Sequence, residues 1–253
     1  MNSEEVTLNR DQRLDVVNNG LTLLQNKGHL TFGTDALLLA AFVGKAKRAA
    51  ELGAGNGIVS LLCAAREKCQ HIDAFEIQKT VAELCRHNVE QNRLSHRISV
   101  LNRDLRDLTK EDEGLYNAVF TNPPYMKTGA GKECATTEKQ IARHEVAGDI
   151  YDFCSAASRL LNYGGDFYCV YRPDRLSDLF DAMRQANVEP KAVTAVCQSP
   201  RHAPSMVLVK GKKGGKAGLY FSPVFFIKEQ DQNSPDYAYL LEKGEFNERF
   251  RLP

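Results

Sequence analysis

An α/β fold with a mostly parallel central sheet is predicted by three observations. Short apolar segments of strand length alternate with longer segments of helical period from residue 48 onward. A glycine-rich turn, Gly53-Ala54-Gly55-Asn56-Gly57, joins one such segment to the start of a helical pattern. Polar groups suited to ligand contact, at Glu76, Asp104 and Asn122, then close three further strand-like segments. In an open parallel sheet, ligands bind at the carboxyl ends of the strands.

In chain order, Asp35–Phe42 reads as a helix, with Thr34 expected as its N-cap and Asp35 favouring its first turn. Arg48–Leu52 reads as a strand carrying the acid Glu51. The glycine turn follows, and the helix begins at Ile58. Glycine lets backbone approach a ligand closely, and the N–H groups of a first helical turn favour acceptor groups. A dinucleotide fingerprint needs a third glycine three residues after the second. That position is Ile58, so a nicotinamide reading fails there; a βα turn with no ligand is the alternative. Ile72–Ile77 alternates apolar and polar residues and places Glu76 19 residues after Gly57, where an acid can accept from both ribose hydroxyls. Helix capping is the other reading, because Gln78–Asn92 is helical in pattern, with Val81, Leu84, Cys85 and Val89 on one buried face. Ile98–Leu101 is the next strand. Asp104 follows it, with Asp107 as the competing acid and a solvated loop carboxylate as the alternative reading of Asp104.

The tetrapeptide Asn122-Pro123-Pro124-Tyr125 follows the apolar run 117–121. Its two prolines hold φ near −65° and donate no backbone hydrogen bond, and a residue before proline is pushed out of the helical region. A stiff loop therefore presents the Asn122 carboxamide, the Pro123 carbonyl and the Tyr125 ring. Two acceptors beside an aromatic face suit a planar ligand bearing an NH2 group. An ordinary Pro-Pro turn is the competing reading.

Gly53-x-Gly55-x-Gly57 resembles the first motif of S-adenosylmethionine-dependent methyltransferases. With Glu76, Asp104 and NPPY following in order, the chain resembles a class I N6-adenine methyltransferase, and most closely the bacterial tRNA1(Val) adenine-N6 methyltransferase family, from about Leu14 to Ile227. The resemblance implies a Rossmann-like seven-stranded sheet, mostly parallel with a reversed strand at one edge. It implies S-adenosylmethionine as cofactor, held by Thr34, Asp35, Glu51, Gly53, Gly55, Gly57, Glu76, Ile77, Asp104, Leu105 and Asn122. Phe32-Gly33-Thr34-Asp35 would fold over the methionine end, Asp104 would accept from the adenine amine, and the Leu105 amide would reach the ring. Asn122, Pro123, Pro124 and Tyr125 would form the catalytic motif, acting on the exocyclic N6 of an adenine in RNA, with tRNA next to the anticodon implied. Ala142-Arg143-His144-Glu145 also looks family-like, within a polar stretch, Lys127–Gly148, that reads as a lid.

No metal is expected, because a sulfonium methyl is already activated. Three rivals share the chemistry or the fold: methylation of a protein glutamine amide, methylation of DNA adenine, and a non-catalytic RNA-binding module. The first two normally carry an added domain.

Composition fits this reading. The 253 residues suffice for one large α/β domain. A single domain over 1–253 is expected, with 1–45 packing on the cofactor site and 228–253 a polar tail that Phe246 and Phe250 could anchor. The longest apolar run, Ala36–Val43, is too short to span a bilayer. No secretory signal opens the chain. Seven cysteines without a Cys-x-x-Cys pair read as buried reduced thiols, hence a cytoplasmic protein. Net charge is only +1, but Arg201–Lys216 is basic. Residues 211–216 read as a hairpin tip between strands Met206–Val209 and Leu219–Ile227, suited either to phosphate contact or to guarding a sheet edge. The remaining elements are a helix at Asp149–Asn162, a turn at Gly164-Gly165, a strand at Asp166–Tyr171, a helix from Pro173 to Gln185, and a strand at Lys191–Cys197.

Overall fold

The computed structural model describes residues 12–17, 20–26, 33–124 and 148–252. Strands β1 (Gln12–Val17) and β2 (Leu21–Asn26) form an antiparallel hairpin. Helix α1 (Thr34–Phe42) leads into β3 (Ala46–Leu52), α2 (Ile58–Ala65), β4 (Cys69–Glu76), α3 (Lys79–Gln91) and β5 (Ile98–Asn102). Then come β6 (Tyr116–Thr121), α4 (Ile150–Leu160), β7 (Leu161–Tyr171), α5 (Leu176–Gln185), β8 (Val188–Cys197) and β9 (Pro204–Lys213). Two short strands, β10 (Tyr220–Phe221) and β11 (Phe225–Phe226), precede a small hairpin of β12 (Lys228–Glu229) and β13 (Gln232–Asn233), and then α6 (Pro235–Lys243).

The sheet runs β8-β9-β7-β6-β3-β4-β5, with β10 and β11 both paired to β8 at the far edge. Its seven long strands are parallel except β9, which is antiparallel to both neighbours. The expected sheet class is therefore present. The reversed strand, however, lies inside the sheet and not at its edge. The expected hairpin between 206–209 and 219–227 is absent: residues 220–221 and 225–226 pair parallel to β8, on the side away from β9. Pro223 lacks the N–H that a continuous edge ladder would use there. Gly164 and Gly165 fall within β7, where its register against β6 shifts.

Alternation along β3 assigns the two faces. Ala49 joins a core with residues of α1, α2 and α3, while Ala50 and Leu52 join one with residues of α4 and α5. Helix α2 is buried from Ile58 through Ala64. Each fully buried Leu or Ile on it contributes roughly 1.5–3 kcal/mol of burial energy. Two phenylalanines of the C-terminal segment pack on the fold: the rings of Phe246 and Phe250 lie 5.1 and 5.2 Å from Phe225, and Phe246 also meets Phe42. The six described cysteines are buried and free. No helix among the described residues is long and apolar enough to cross a membrane.

Candidate active site

The sheet reverses its winding between β3 and β6, and this is where an open α/β sheet forms its crevice. The register lines up the strand ends on that rim. Leu52 pairs with Phe75 on one side and Thr121 on the other, and Glu76 pairs with Asn102. The glycine turn after β3 and Asn122 after β6 therefore leave adjacent strands at the same level, where strands lie roughly 4.8 Å apart. Two polar side chains lock the rim. Thr121 Oγ1 donates to the Leu52 carbonyl at 2.8 Å, and Asn102 Nδ2 donates to the carbonyls of Glu76 and Ile77, both at 2.9 Å. Thr121 lay at the end of a segment read as strand and Asn102 just past one, but their bonding across strands has no local signature.

The three turn glycines all have positive φ, at +70°, +58° and +85°. A Cβ on Gly57 would sit 2.6 Å from Cys85 Sγ, so this glycine lets α2 start hard against α3. A Cβ on Gly55 would meet nothing within 4 Å, so the space over the middle of the turn is open. Glu76 lines that space. It is buried, and its Oε2 accepts from the Gly55 N–H at 3.0 Å while Oε1 accepts from the Gln78 N–H at 2.9 Å. It thus braces both the turn and the approach to α3, and each oxygen has further lone-pair capacity. Ile77, half-buried, follows directly.

Glu51 is buried beneath the turn, where Oε2 accepts from the Ser60 N–H at 3.0 Å and from the Ser60 hydroxyl. It supplies an acceptor to the first turn of α2, whose own N-cap, Gly57, has no side chain to do so. Desolvation pushes the Glu51 carboxyl up to about 8, against the opposing Ser60 hydrogen bonds. Between the ordinary carboxylate range near 4.3 and about 8, the folded chain keeps a proton that the unfolded chain has lost. Stability is therefore expected to fall as pH rises through that window. Glu51→Gln should gain on wild type in urea denaturation at pH 8 relative to pH 5; a difference independent of pH would refute the assignment.

Asp104 caps a short 3-10 turn, Leu105–Asp107, accepting from the Arg106 N–H at 2.8 Å and from the Arg106 side chain. The Arg106 guanidinium holds its carboxyl below the ordinary aspartate range. Asp104 is thus a partly exposed, ion-paired carboxylate two residues past the end of β5. Leu105 opens the turn and packs on the second core.

Thr34 is not the cap of α1. Gly33 takes that position in an extended conformation, with no side-chain cap, and Thr34 becomes the first helical residue. Asp35, in the first turn, instead reaches across the fold: its Oδ2 accepts from Asn122 Nδ2 at 2.8 Å. Asn122 is half-buried, Pro123 buried and Pro124 exposed. Tyr125, Phe32 and the segment 142–145 lie outside the described residues. The hairpin β1–β2 is tied to the turn through the fully buried Asn88 of α3. Asn88 Oδ1 accepts from the Leu24 N–H at 2.7 Å, and Nδ2 donates to the carbonyls of Leu24 and Asn56. A cavity of about 340 Å³ lined by Phe42, Lys68, Tyr168 and Phe246 lies at the amino end of β3, away from all these groups. Among the described residues no three His, Cys, Asp or Glu side chains group as a metal site.

The family model for the methyltransferase small domain matches residues 26–191. The chain belongs to this family. A Cronobacter sakazakii protein named tRNA1(Val) (adenine(37)-N6)-methyltransferase is 30% identical over 234 residues, covering 88% of this chain and 94% of that protein. Among solved structures, one described as a predicted O-methyltransferase from Agrobacterium tumefaciens superposes with a TM-score of 0.68 at 25% identity, over 84% of this chain and 97% of that one. TYW2 of M. jannaschii, solved with AdoMet, shares the fold at a TM-score of 0.56 and 13% identity, over 80% and 85% of the two chains. The chain is thus a methyltransferase enzyme, and S-adenosylmethionine is its cofactor. The residues present fit that cofactor: the turn is open over Gly55, and the buried Glu76 carboxylate stands beside that opening.

Proposed function

We propose that this methyltransferase acts on the exocyclic N6 of an adenine in RNA, and that the RNA is a tRNA. The observation that carries the reading is the Asn122 carboxamide, set at the winding reversal beside the glycine turn with its amide nitrogen bound to Asp35. The cofactor, when bound, supplies an electrophilic methyl on a sulfonium. The chain's own task is to make a poor nucleophile attack, because the N6 lone pair is delocalised into the ring. Acceptors at Asn122 and the Pro123 carbonyl hydrogen-bond the amine protons and favour a pyramidal nitrogen, with charge stabilisation by fixed dipoles. Tyr125 stacks on the flipped base, a contact worth roughly 1–3 kcal/mol. Glu76 and Ile77 hold the ribose end of the cofactor and Asp104 and Leu105 its adenine. Gly53, Gly55 and Gly57 let the backbone close on it, and Glu51 braces the first turn of α2 beneath it. The whole chain works as one catalytic domain. The name of the Cronobacter relative supports tRNA and adenine 37, and such a substrate supports a cytoplasmic enzyme.

The test is to incubate the protein with methyl-labelled cofactor and tRNA lacking the modification, then map the labelled nucleotide. Label on N6 of adenine next to the anticodon is expected. Label confined to DNA, or to a protein glutamine amide, would overturn the reading.

The rim also redirects the search for phosphate contacts. The basic segment 210–216 lies at the opposite end of the sheet from Asn122, because β9 runs away from the rim. Three of its four lysines are engaged: Lys210 and Lys212 pair with Asp166 at 3.2 Å, and Lys213 Nζ donates to the Leu161 carbonyl at 2.7 Å. The loop joining β8 to β9 is on the rim and exposes Arg201 and His202. Arg201→Glu is expected to weaken tRNA binding and lower the salt slope by about one, whereas Lys216→Glu leaves both unchanged. Equal losses in filter-binding titrations over a salt series would exclude this placement.

A further inference from the structure

We propose that Asp35 is the positioning residue that decides which edge of the Asn122 carboxamide faces the incoming nucleophile; the proposal rests on the adenine-amine reading above. A carboxamide has a donor edge and an acceptor edge of nearly the same shape, so rotation about its last bond exchanges them at little steric cost. Only the acceptor edge can take a proton from an amine. With the donor edge turned toward the crevice, N–H would meet N–H and the motif would lose its purpose. The rigidity of the two prolines does not settle this, because they fix the backbone and leave the final side-chain torsion open.

Asp35 settles it by chemistry. An ionised carboxylate has acceptors and no donor, so the edge lying 2.8 Å from Asp35 Oδ2 must be the NH2 group. The amide oxygen then points the other way. A flipped amide would bring its oxygen against the carboxylate and replace a charge-assisted bond by repulsion.

The surroundings hold Asp35 to this task. Helix α1 is fixed by its buried residues Ala36, Leu38 and Leu39. Gly33 leaves room for the carboxylate, since a Cβ there would sit 2.5 Å from Asp35 Oδ1. Its carboxylate is bonded to Asn122 across the fold. A favourable interaction with the α1 dipole would be the plain explanation of an acid in the first turn, but it would not require contact with a residue 87 positions away. The sequence reading gave Asp35 to the methionine end of the cofactor; the contact on the page is with the catalytic motif.

Three roles separate by measurement on the full-length chain with an unmodified tRNA transcript. The variants are Asp35→Ala, Asp35→Asn, Asn122→Ala and the Asp35→Ala/Asn122→Ala double. Single-turnover methylation rate, cofactor Kd by calorimetry and urea stability are recorded for each. Asp35→Ala is expected to lower the rate on the order of 10²-fold while cofactor Kd stays within about threefold of wild type. Asp35→Asn, whose amide can pair in either sense, should fall between it and wild type. The double variant should be no slower than Asn122→Ala, since the two side chains act as one unit. Losses that multiply in the double variant overturn the proposal. So does a cofactor Kd weakened about tenfold at an intact rate, which would make Asp35 a cofactor ligand. A stability loss at an intact rate would leave only the helix dipole and also overturns it. Asn122→Ala at the wild-type rate would overturn the adenine reading itself, whereas a slow Asn122→Ala beside a fast Asp35→Ala sinks this proposal alone.

Discussion

Asn122→Ala is expected to slow methyl transfer on the order of 10²–10³-fold, the usual cost of removing one fixed hydrogen-bonding group aimed at developing charge. Cofactor affinity should stay near wild type. The reason is placement: Asn122 leaves β6 one residue past Thr121, and Thr121 is tied to β3 by its own hydroxyl bond to Leu52. That bond survives the substitution, so the crevice and the glycine turn keep their shape. What is lost is an acceptor for the amine, which matters as the nitrogen pyramidalises and its protons become more acidic. The effect should therefore fall on kcat more than on KM for tRNA. Single-turnover kinetics with cofactor binding measured in parallel provide the check. Undiminished turnover would remove Asn122 from the reaction.

Glu76→Ala is expected to act on the other half of the site. Two hydrogen bonds from ribose hydroxyls to a carboxylate are each worth about 1.5–3 kcal/mol, so cofactor Kd should rise by roughly 10² or more. The same oxygens accept from the Gly55 and Gln78 N–H groups, so the substitution also removes partners from the turn and from the approach to α3. Some stability will be lost with the affinity. Glu76→Gln separates the two, because it keeps an acceptor for one backbone N–H while offering the ribose a donor. Affinity well below wild type in a Gln variant that unfolds near the wild-type midpoint would show that the ligand role is distinct from the brace. Unchanged affinity in both variants would contradict the ribose role.

Local pattern carried much of this architecture. Gly57 illustrates why: its φ of +85° and the contact with Cys85 both demand glycine, and that demand is visible as spacing. Glu76, Asp104 and Asn122 were legible because a polar group closing an apolar segment is a local signature and the parallel sheet places all such ends on one rim. The buried face of α3 was legible in part: Cys85 and Val89 repeat at helical period and are buried, whereas Val81 and Leu84 are only half-buried and Ala82 and Asn88 complete the face. Asn88 was not, because nothing nearby in sequence marks a buried amide whose partners, Leu24 and Asn56, lie on other elements.

By itself, then, the chain's pattern determined the α/β class, the glycine turn, the order of acids along the rim and the stiffness of the Asn122-Pro123-Pro124 segment. These are consequences of steric preference and period, which act over a few residues. Only the tertiary structure decided that β9 inserts between β7 and β8, that Gly33 and not Thr34 caps α1, that residues 210–216 lie far from the rim, and that Asp35 grips Asn122. Each of those depends on which distant segments meet. That is settled by burial of whole faces and by satisfaction of buried polar groups, and neither is written in any short stretch of sequence.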